Sequence, residues 1–269
     1  MLIDTHAHLT WDSFKPDLNQ VVQRAKETGV KTIINIGADI ESSKQAADLE
    51  CGEISCYSSV GLHPHESSRM TSTESIQQYI EDLEKIYQTN PEKIVAVGEC
   101  GLDFFFEGNI DFTPSSLSVD EMKKLQIKLF VTQINLSKKL NLPLIVHSRE
   151  AWEDIFVPEL QGMNGVFHSF TGTEIEARKI LDLGFYLGFT CIITYPKNEH
   201  LRQIIKNTPL DKILTETDCP YLPPQTQRGQ RNEPANIVEI IKTIAEVKGI
   251  SFNKVDEATY TNARQLFGI

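Results

Sequence analysis

Residues 4–9 read Asp-Thr-His-Ala-His-Leu and directly follow the apolar Met1, Leu2 and Ile3. This predicts a short buried strand that ends in two histidines. Side chains alternate along a strand, so His6 and His8 point to one face. Two imidazoles at that spacing suit one shared divalent ion, although His-x-His alone is common by chance and is more often an ordinary buried or exposed pair. Glu99, His147, His168 and Asp218 also each follow a short apolar run. A nitrogen-and-oxygen donor set without cysteine suits one or two catalytic divalent ions with open positions, rather than a closed structural zinc. Two such ions need a bridge, and Glu99 sits midway in the set.

The elements that must bring these residues together form a repeated unit: an apolar strand, a loop, then a helical stretch. Strands are predicted at Leu2–Thr5, Thr32–Ile36, Tyr57–Gly61, Ile94–Gly98, Leu144–Val146, Gly165–Phe167, Tyr186–Phe189 and Ile213–Thr217. Helices are predicted at about 16–28, 41–51, 75–88, 120–140, 149–160, 175–183 and 201–206, with two more at about 235–247 and 254–266. Residues 104–119, rich in Phe and Ser, lack a clear period and read as a long loop or a short lid. Strands alternating with helices argue for a parallel α/β sheet. Eight units in 269 residues suit a single (β/α)8 TIM barrel over residues 1–269, with the active site at the carboxyl ends of its strands. A doubly wound open sheet is the alternative; no GxGxxG follows an early strand, which counts against a dinucleotide-binding version.

The net charge of −11 excludes a general basic coat for nucleic acid, so any phosphate must be held locally. Five scattered cysteines without a CxxC suit reduced thiols and a cytoplasmic setting. No signal peptide or membrane-length apolar run is expected. A monomer is the expected state, since no apolar stripe demands a partner.

Read end to end, the stretches DTHAHL, GLHPH (61–65), GECGLDF (98–104), PLIVHSREA (143–151), FHSFTG (167–172), ETDCPYL (216–222), RGQRNEP (228–234) and NARQLF (262–267) keep an order that resembles the TatD family of metal-dependent deoxyribonucleases, within the amidohydrolase-type barrels. The resemblance spans the whole chain. Glu99 stands where related phosphotriesterase-like barrels place a modified lysine, which favours the nuclease branch. The stretch between Asp103 and Gln126 is longer than the family pattern and puts substrate length or strand preference in doubt.

The resemblance implies a metal-dependent DNase, a 3′–5′ exonuclease that hydrolyses phosphodiester bonds in DNA, on single strands or 3′ ends. Its metal ligands carry over to His6, His8, Glu99, His147, His168 and Asp218. They would hold two divalent ions (Mg, Mn or Zn): one at His6, His8 and Asp218, the other at His147 and His168, with Glu99 between. Asp218 is the candidate to orient water and take its proton. Glu216 faces the same way by strand period, and would share that role, hold a ligand histidine, or be a structural carboxylate. His63 is a candidate to touch phosphate or protonate the leaving oxygen, or else packs on Pro64. His65, Arg149 and Arg231 are candidate substrate contacts; the alternatives are loop packing for His65, a salt bridge with Glu150 or Glu153 for Arg149, and structural capping by the RGQRNEP loop for Arg231. Phe104, Phe105, Phe106 and Phe170 either stack bases or pack. An alternative function keeps the metal and changes the bond: an amide or ester hydrolase, such as a D-aminoacyl-tRNA deacylase. A third reading is a barrel that binds metal or a partner without turnover.

Overall fold

The computed structural model describes residues 1–70, 73–106 and 117–269. Along the chain run β1 (Leu2–Ala7), α1 (Leu18–Thr28), β2 (Val30–Asn35), α2 (Ile40–Asp48), β3 (Ser55–Val60), α3 (Thr73–Thr89), β4 (Ile94–Asp103) and α4 (Val119–Leu140). Then follow β5 (Leu144–Arg149), β6 (Gly165–Phe167), α5 (Glu174–Asp182), β7 (Tyr186–Phe189), α6 (Glu199–Asn207), β8 (Ile213–Thr215), α7 (Ile237–Lys248) and α8 (Phe252–Phe267). Polar residues start several helices by capping boxes: Asp39 with Ser42, Ser118 with Glu121, and Thr173 with Glu176.

The eight strands pair in chain order, each parallel to the next. The seam between β8 and β1 is joined just past the end of β8. Ala7 forms a parallel bridge with Cys219. The Asp218 N–H donates to the His6 carbonyl at 2.8 Å, and the His8 N–H to the Cys219 carbonyl at 2.9 Å. The result is a nearly closed (β/α)8 barrel, as the alternation of elements requires. Its strands are buried on both faces, as parallel strands under helices must be; every residue of β1 and β4 is buried.

Ile3, Ile34, Val95, Ile145, Val166 and Leu214 fill the barrel, and Leu266 and Phe267 of α8 pack against them and plug one end. The strands' carboxyl ends at the other end remain for polar chemistry.

The helix expected over 149–160 does not form. β5 continues to Arg149, and Glu150 takes a left-handed conformation with φ 53°. Pro158 then holds Val157 extended (φ −66°, ψ 147°), leaving one isolated turn and a 3₁₀ turn at Pro158–Leu160. Trp152, Ile155 and Phe156 have helical spacing, but Trp152 instead packs on Phe167 and Phe170. β8 also ends earlier than expected, at Thr215, and β4 runs five residues further than expected, to Asp103. Of the loop or lid expected over 104–119, residues 107–116 lie outside the described residues. Among the described residues, no helix is long and apolar enough to cross a membrane.

Asn262, on α8, donates to the carbonyls of Leu210 (2.9 Å) and Ile213 (2.8 Å) and so ties the plug to β8. Asn262→Ala removes both donations; the Leu210 carbonyl keeps the Ile213 N–H, while the buried Ile213 carbonyl loses its side-chain donor. The substitution is expected to lower stability by about 2 kcal/mol, read as a lower urea midpoint at unchanged slope. An unchanged midpoint would show that α8 is held by packing alone.

Candidate metal centre

Six of the seven histidines gather at the carboxyl ends of the strands; the seventh, His200, is exposed on α6. β1 delivers His6, with His8 just beyond; His63 and His65 follow β3; Glu99 and Asp103 lie on β4; His147 lies on β5; His168 follows β6; Asp218 follows β8. Glu99 occupies the middle. Its Oε2 lies 3.4 Å from His6 Nε2 and 3.8 Å from His8 Nε2. Its Oε1 lies 2.8 Å from His147 Nδ1, 2.8 Å from His168 Nε2 and 3.6 Å from His63 Nε2. Asp218 Oδ1 lies 3.7 Å from His6 Nε2 and 3.6 Å from His8 Nε2.

Nitrogen also faces nitrogen: His6 Nε2 and His8 Nε2 are 3.2 Å apart, and His147 Nδ1 and His168 Nε2 are 3.1 Å apart. Two neutral ring nitrogens attract only if one carries a proton, so lone pairs converging on one point call for a cation. Ligands at zinc-like bond lengths sit on a tetrahedron with an edge of roughly 3.3 Å. The separations of 3.2–3.8 Å among His6, His8, Glu99 and Asp218 bracket that value. His6, His8 and Asp218 therefore form one candidate group, and His6, Glu99 and His168 an overlapping one.

The electrostatics agree. Burial would push Glu99 up, but the imidazoles of His168 and His63 and hydrogen bonds from His147 and His168 hold its carboxyl well below its ordinary range. Asp218 is likewise held down against burial, by His8, His6 and His168. Both carboxylates are ionised in the neutral range. Burial and the charge of His168 lower His6 to about 4. His147 goes the other way: burial opposes its charge, but Asp103 and Glu99 raise it to about 9.

The sequence matches the family described as TatD related DNase over residues 3–268. The chain belongs to the TatD family. It is 35% identical over its whole length, and that of the relative, to the uncharacterized metal-dependent hydrolase YabD of Bacillus subtilis. It is 34% identical to the 3′-5′ ssDNA/RNA exonuclease TatD of Escherichia coli K12, covering 100% of this chain and 99% of that one. Among solved structures, the E. coli TatD homologue YjjV superposes with a TM-score of 0.86 at 28% identity, covering 100% of this chain and 98% of that one. The barrel is therefore that of a metal-dependent hydrolase, and its donor set fits a metal.

Around the centre of this TatD-family barrel stand residues that hold the donors. Glu216 is fully buried behind His168: it accepts the Ser169 backbone N–H, and its carboxylate lies 3.7 Å from His168 Nδ1. Burial raises it to about 8. Gly188 leaves the space it needs, since a Cβ there would lie 2.6 Å from Glu216 Oε2. Gly101 serves His147 similarly: a Cβ would lie 2.1 Å from the His147 carbonyl oxygen, and φ is +133°.

Two acids quoted only within motifs have positions of their own. Asp4 accepts from Thr217 N–H (2.9 Å) and Thr217 Oγ1 (2.5 Å), locking β1 to the turn that carries Asp218. Asp103 Oδ2 lies 3.1 Å from His65 Nε2 and 3.4 Å from His147 Nε2, while its Oδ1 accepts the Phe105 N–H at 2.9 Å. With His63 and His147 it forms a third donor group. The signal that marked it was its position four residues after Glu99 on one strand, a period-two spacing that keeps both on one face.

The arginines lie otherwise. The exposed Arg149 guanidinium covers the Phe105 ring at 3.9 Å. Arg231 pairs with both oxygens of Asp17 at 2.7 Å and with Glu233 at 3.0 Å, over the Phe14 ring. Its neighbour Asn232 donates to the Thr217 carbonyl at 2.8 Å, so the RGQRNEP loop braces the Asp218 turn. Phe104 and Phe170 are buried in the core.

Two outcomes follow. Metal-free His147, raised to about 9, is protonated at pH 7 and must lose that proton to accept a cation. Manganese uptake at pH 7 should release protons, with affinity rising roughly tenfold per pH unit per proton up to about pH 9 and flattening above. Calorimetry in buffers of different ionisation enthalpy reads this; uptake without proton release would contradict it. Asp103→Asn should weaken metal binding about 10- to 100-fold while the barrel stays folded; unchanged affinity would leave Asp103 without a part in the centre.

Proposed function

We propose that this TatD-family hydrolase is a 3′–5′ exonuclease acting on single-stranded DNA ends, with two divalent cations sharing Glu99. The observation that carries the two-ion reading is that Glu99 turns one oxygen to His6 and His8 and the other to His147 and His168. The nucleic-acid reading is supported by relatives named for that activity at 34% identity over the full chain. On this reading His6, His8 and Asp218 would hold one ion, and His147 and His168 the other. When bound, the pair supplies an easily deprotonated water and positive charge opposite the phosphate.

The chain's own groups do the rest. Asp218, ionised and beside His6 and His8, takes the proton of the attacking water. Water adds to phosphorus, and the bond from phosphorus to the 3′ oxygen of the preceding nucleotide breaks. This frees a 5′-nucleotide and a new 3′-hydroxyl. His63 donates a hydrogen bond to that leaving oxygen, which takes its proton from solvent as Asp218 returns the one it accepted. His63 Nδ1 accepts the His65 N–H at 3.3 Å, and burial holds the ring pKa well below the usual value. The neutral ring therefore carries its proton on Nε2, the atom 3.6 Å from Glu99 Oε1 and facing the centre. Glu216 and Asp103 orient His168 and His147. Arg149 and His65 are proposed phosphate contacts at the rim. Arg231 acts through the loop it anchors. A net charge of −11 fits a substrate gripped at its end rather than along a basic track. The five free cysteines support a cytoplasmic setting, and we take the working form to be a monomer.

The test is a single-stranded oligonucleotide labelled at its 5′ end, incubated with chelator-stripped protein and magnesium, manganese or zinc in turn. A metal-dependent ladder shortening from the 3′ end is expected, absent with Glu99→Ala and slowed about 10²- to 10³-fold with His63→Ala. If metal-loaded protein leaves DNA intact but cleaves an aminoacyl ester, the amide or ester hydrolase replaces this reading.

A further inference from the structure

Two aromatic residues flank the metal centre by the same local device. Trp11 lies three residues after His8, and its N–H donates to the His8 carbonyl at 3.2 Å. Tyr221 lies three residues after Asp218, and its N–H donates to the Asp218 carbonyl at 3.0 Å. The His8 N–H donates in turn to the Cys219 carbonyl at 2.9 Å, so both loops are fixed to each other and to two candidate ligands. The Trp11 ring lies 4.9 Å from the His8 ring and meets Tyr221 edge-on, with centroids 5.2 Å apart and planes at 88°. Tyr221 is 47% exposed.

A cavity of about 530 Å³ opens beside the pair, lined among others by Trp11, Tyr221, Pro220, Asp12, Glu41 and Gln45. No lysine or arginine among the described residues lines it. Its wall therefore repels phosphate and accepts a flat, uncharged ring with N–H donors. Resting on the proposed nuclease reading, we propose that this cavity is a nucleobase subsite: the base of a nucleotide flanking the scissile phosphate stacks on Trp11, with Tyr221 closing its edge. Stacking of this kind tolerates any base, because each has a π-face. Division of labour follows from the chemistry: the His, Glu and Asp donors take the phosphate, and the aromatic corner takes the base and sets the distance between them. Trp11 and Tyr221 are then positioning residues for the end of the strand.

The experiment uses metal-loaded full-length Trp152→Phe protein, which leaves Trp11 as the single tryptophan. It is titrated with the 2′-deoxynucleoside 5′-monophosphates of adenine and thymine, and with 2-deoxyribose 5-phosphate, which lacks a base. Both nucleotides should change Trp11 emission and bind roughly 5- to 150-fold tighter than the sugar phosphate. That preference should collapse toward one in Trp11→Ala and in Tyr221→Ala, measured by calorimetry on protein shown to keep its metal content. Should Trp11→Ala fail to fold, Tyr221→Ala and the emission change decide. Equal binding of nucleotide and sugar phosphate, silent Trp11 emission, or a preference that survives Tyr221→Ala overturns the subsite. A base preference without DNA shortening retains the subsite and removes the exonuclease reading; DNA shortening without a base preference does the reverse.

Discussion

A carboxylate buried at 4% exposure and kept ionised is the constraint around which this barrel is built. An isolated charge in that position costs several kcal/mol and would neutralise itself. Glu99 stays charged because imidazoles surround it on both sides, and those imidazoles point their nitrogens at one another as well as at Glu99. No assignment of ring protons alone satisfies every facing pair. Added positive charge relieves this: a proton on His147 does so on its own side of Glu99, and a divalent cation takes that proton's place. The competition between the two couples metal content to pH.

The fold spends stability to hold this arrangement. Asp218 has φ 56° and Ser169 has φ 45°, both in the left-handed region that side chains other than glycine avoid. Such residues cost about 1–2 kcal/mol each. Each sits where a surrounding contact fixes it: the Asp218 N–H on the His6 carbonyl, the Ser169 N–H on Glu216. The β8–β1 seam closes through Asp218 and Cys219 on His6, Ala7 and His8 rather than through a regular strand ladder. Barrel closure and assembly of the centre are thus one event, and a loosened seam would separate His6 and His8 from Asp218.

Much of this was legible in the sequence because the fold and the centre share one logic. Short apolar runs read as strands, and the residue after each run falls at a strand's carboxyl end, so His147, His168 and Glu99 could be placed by counting. What was not legible depends on contacts rather than on period. Residues 149–160 carry a helix-like apolar spacing, but Glu150 and Pro158 set backbone angles that break it. Asp103 was passed over because β4 runs to ten residues, longer than its apolar core suggests. Whether an arginine is available cannot be counted from spacing: Arg231 is engaged by Asp17 and Glu233, more than 200 residues apart in sequence in the first case. Trp11 gave no signal, since a lone aromatic residue in a loop does not show where it points.

The claim that Glu99 is shared between two cations is tested most directly by anomalous diffraction from crystals of the manganese-loaded protein. The account predicts two peaks, one beside the Glu99 oxygen that faces His6 and His8 and one beside the oxygen that faces His147 and His168. A single peak on one side of Glu99, in crystals grown with saturating manganese, would contradict it.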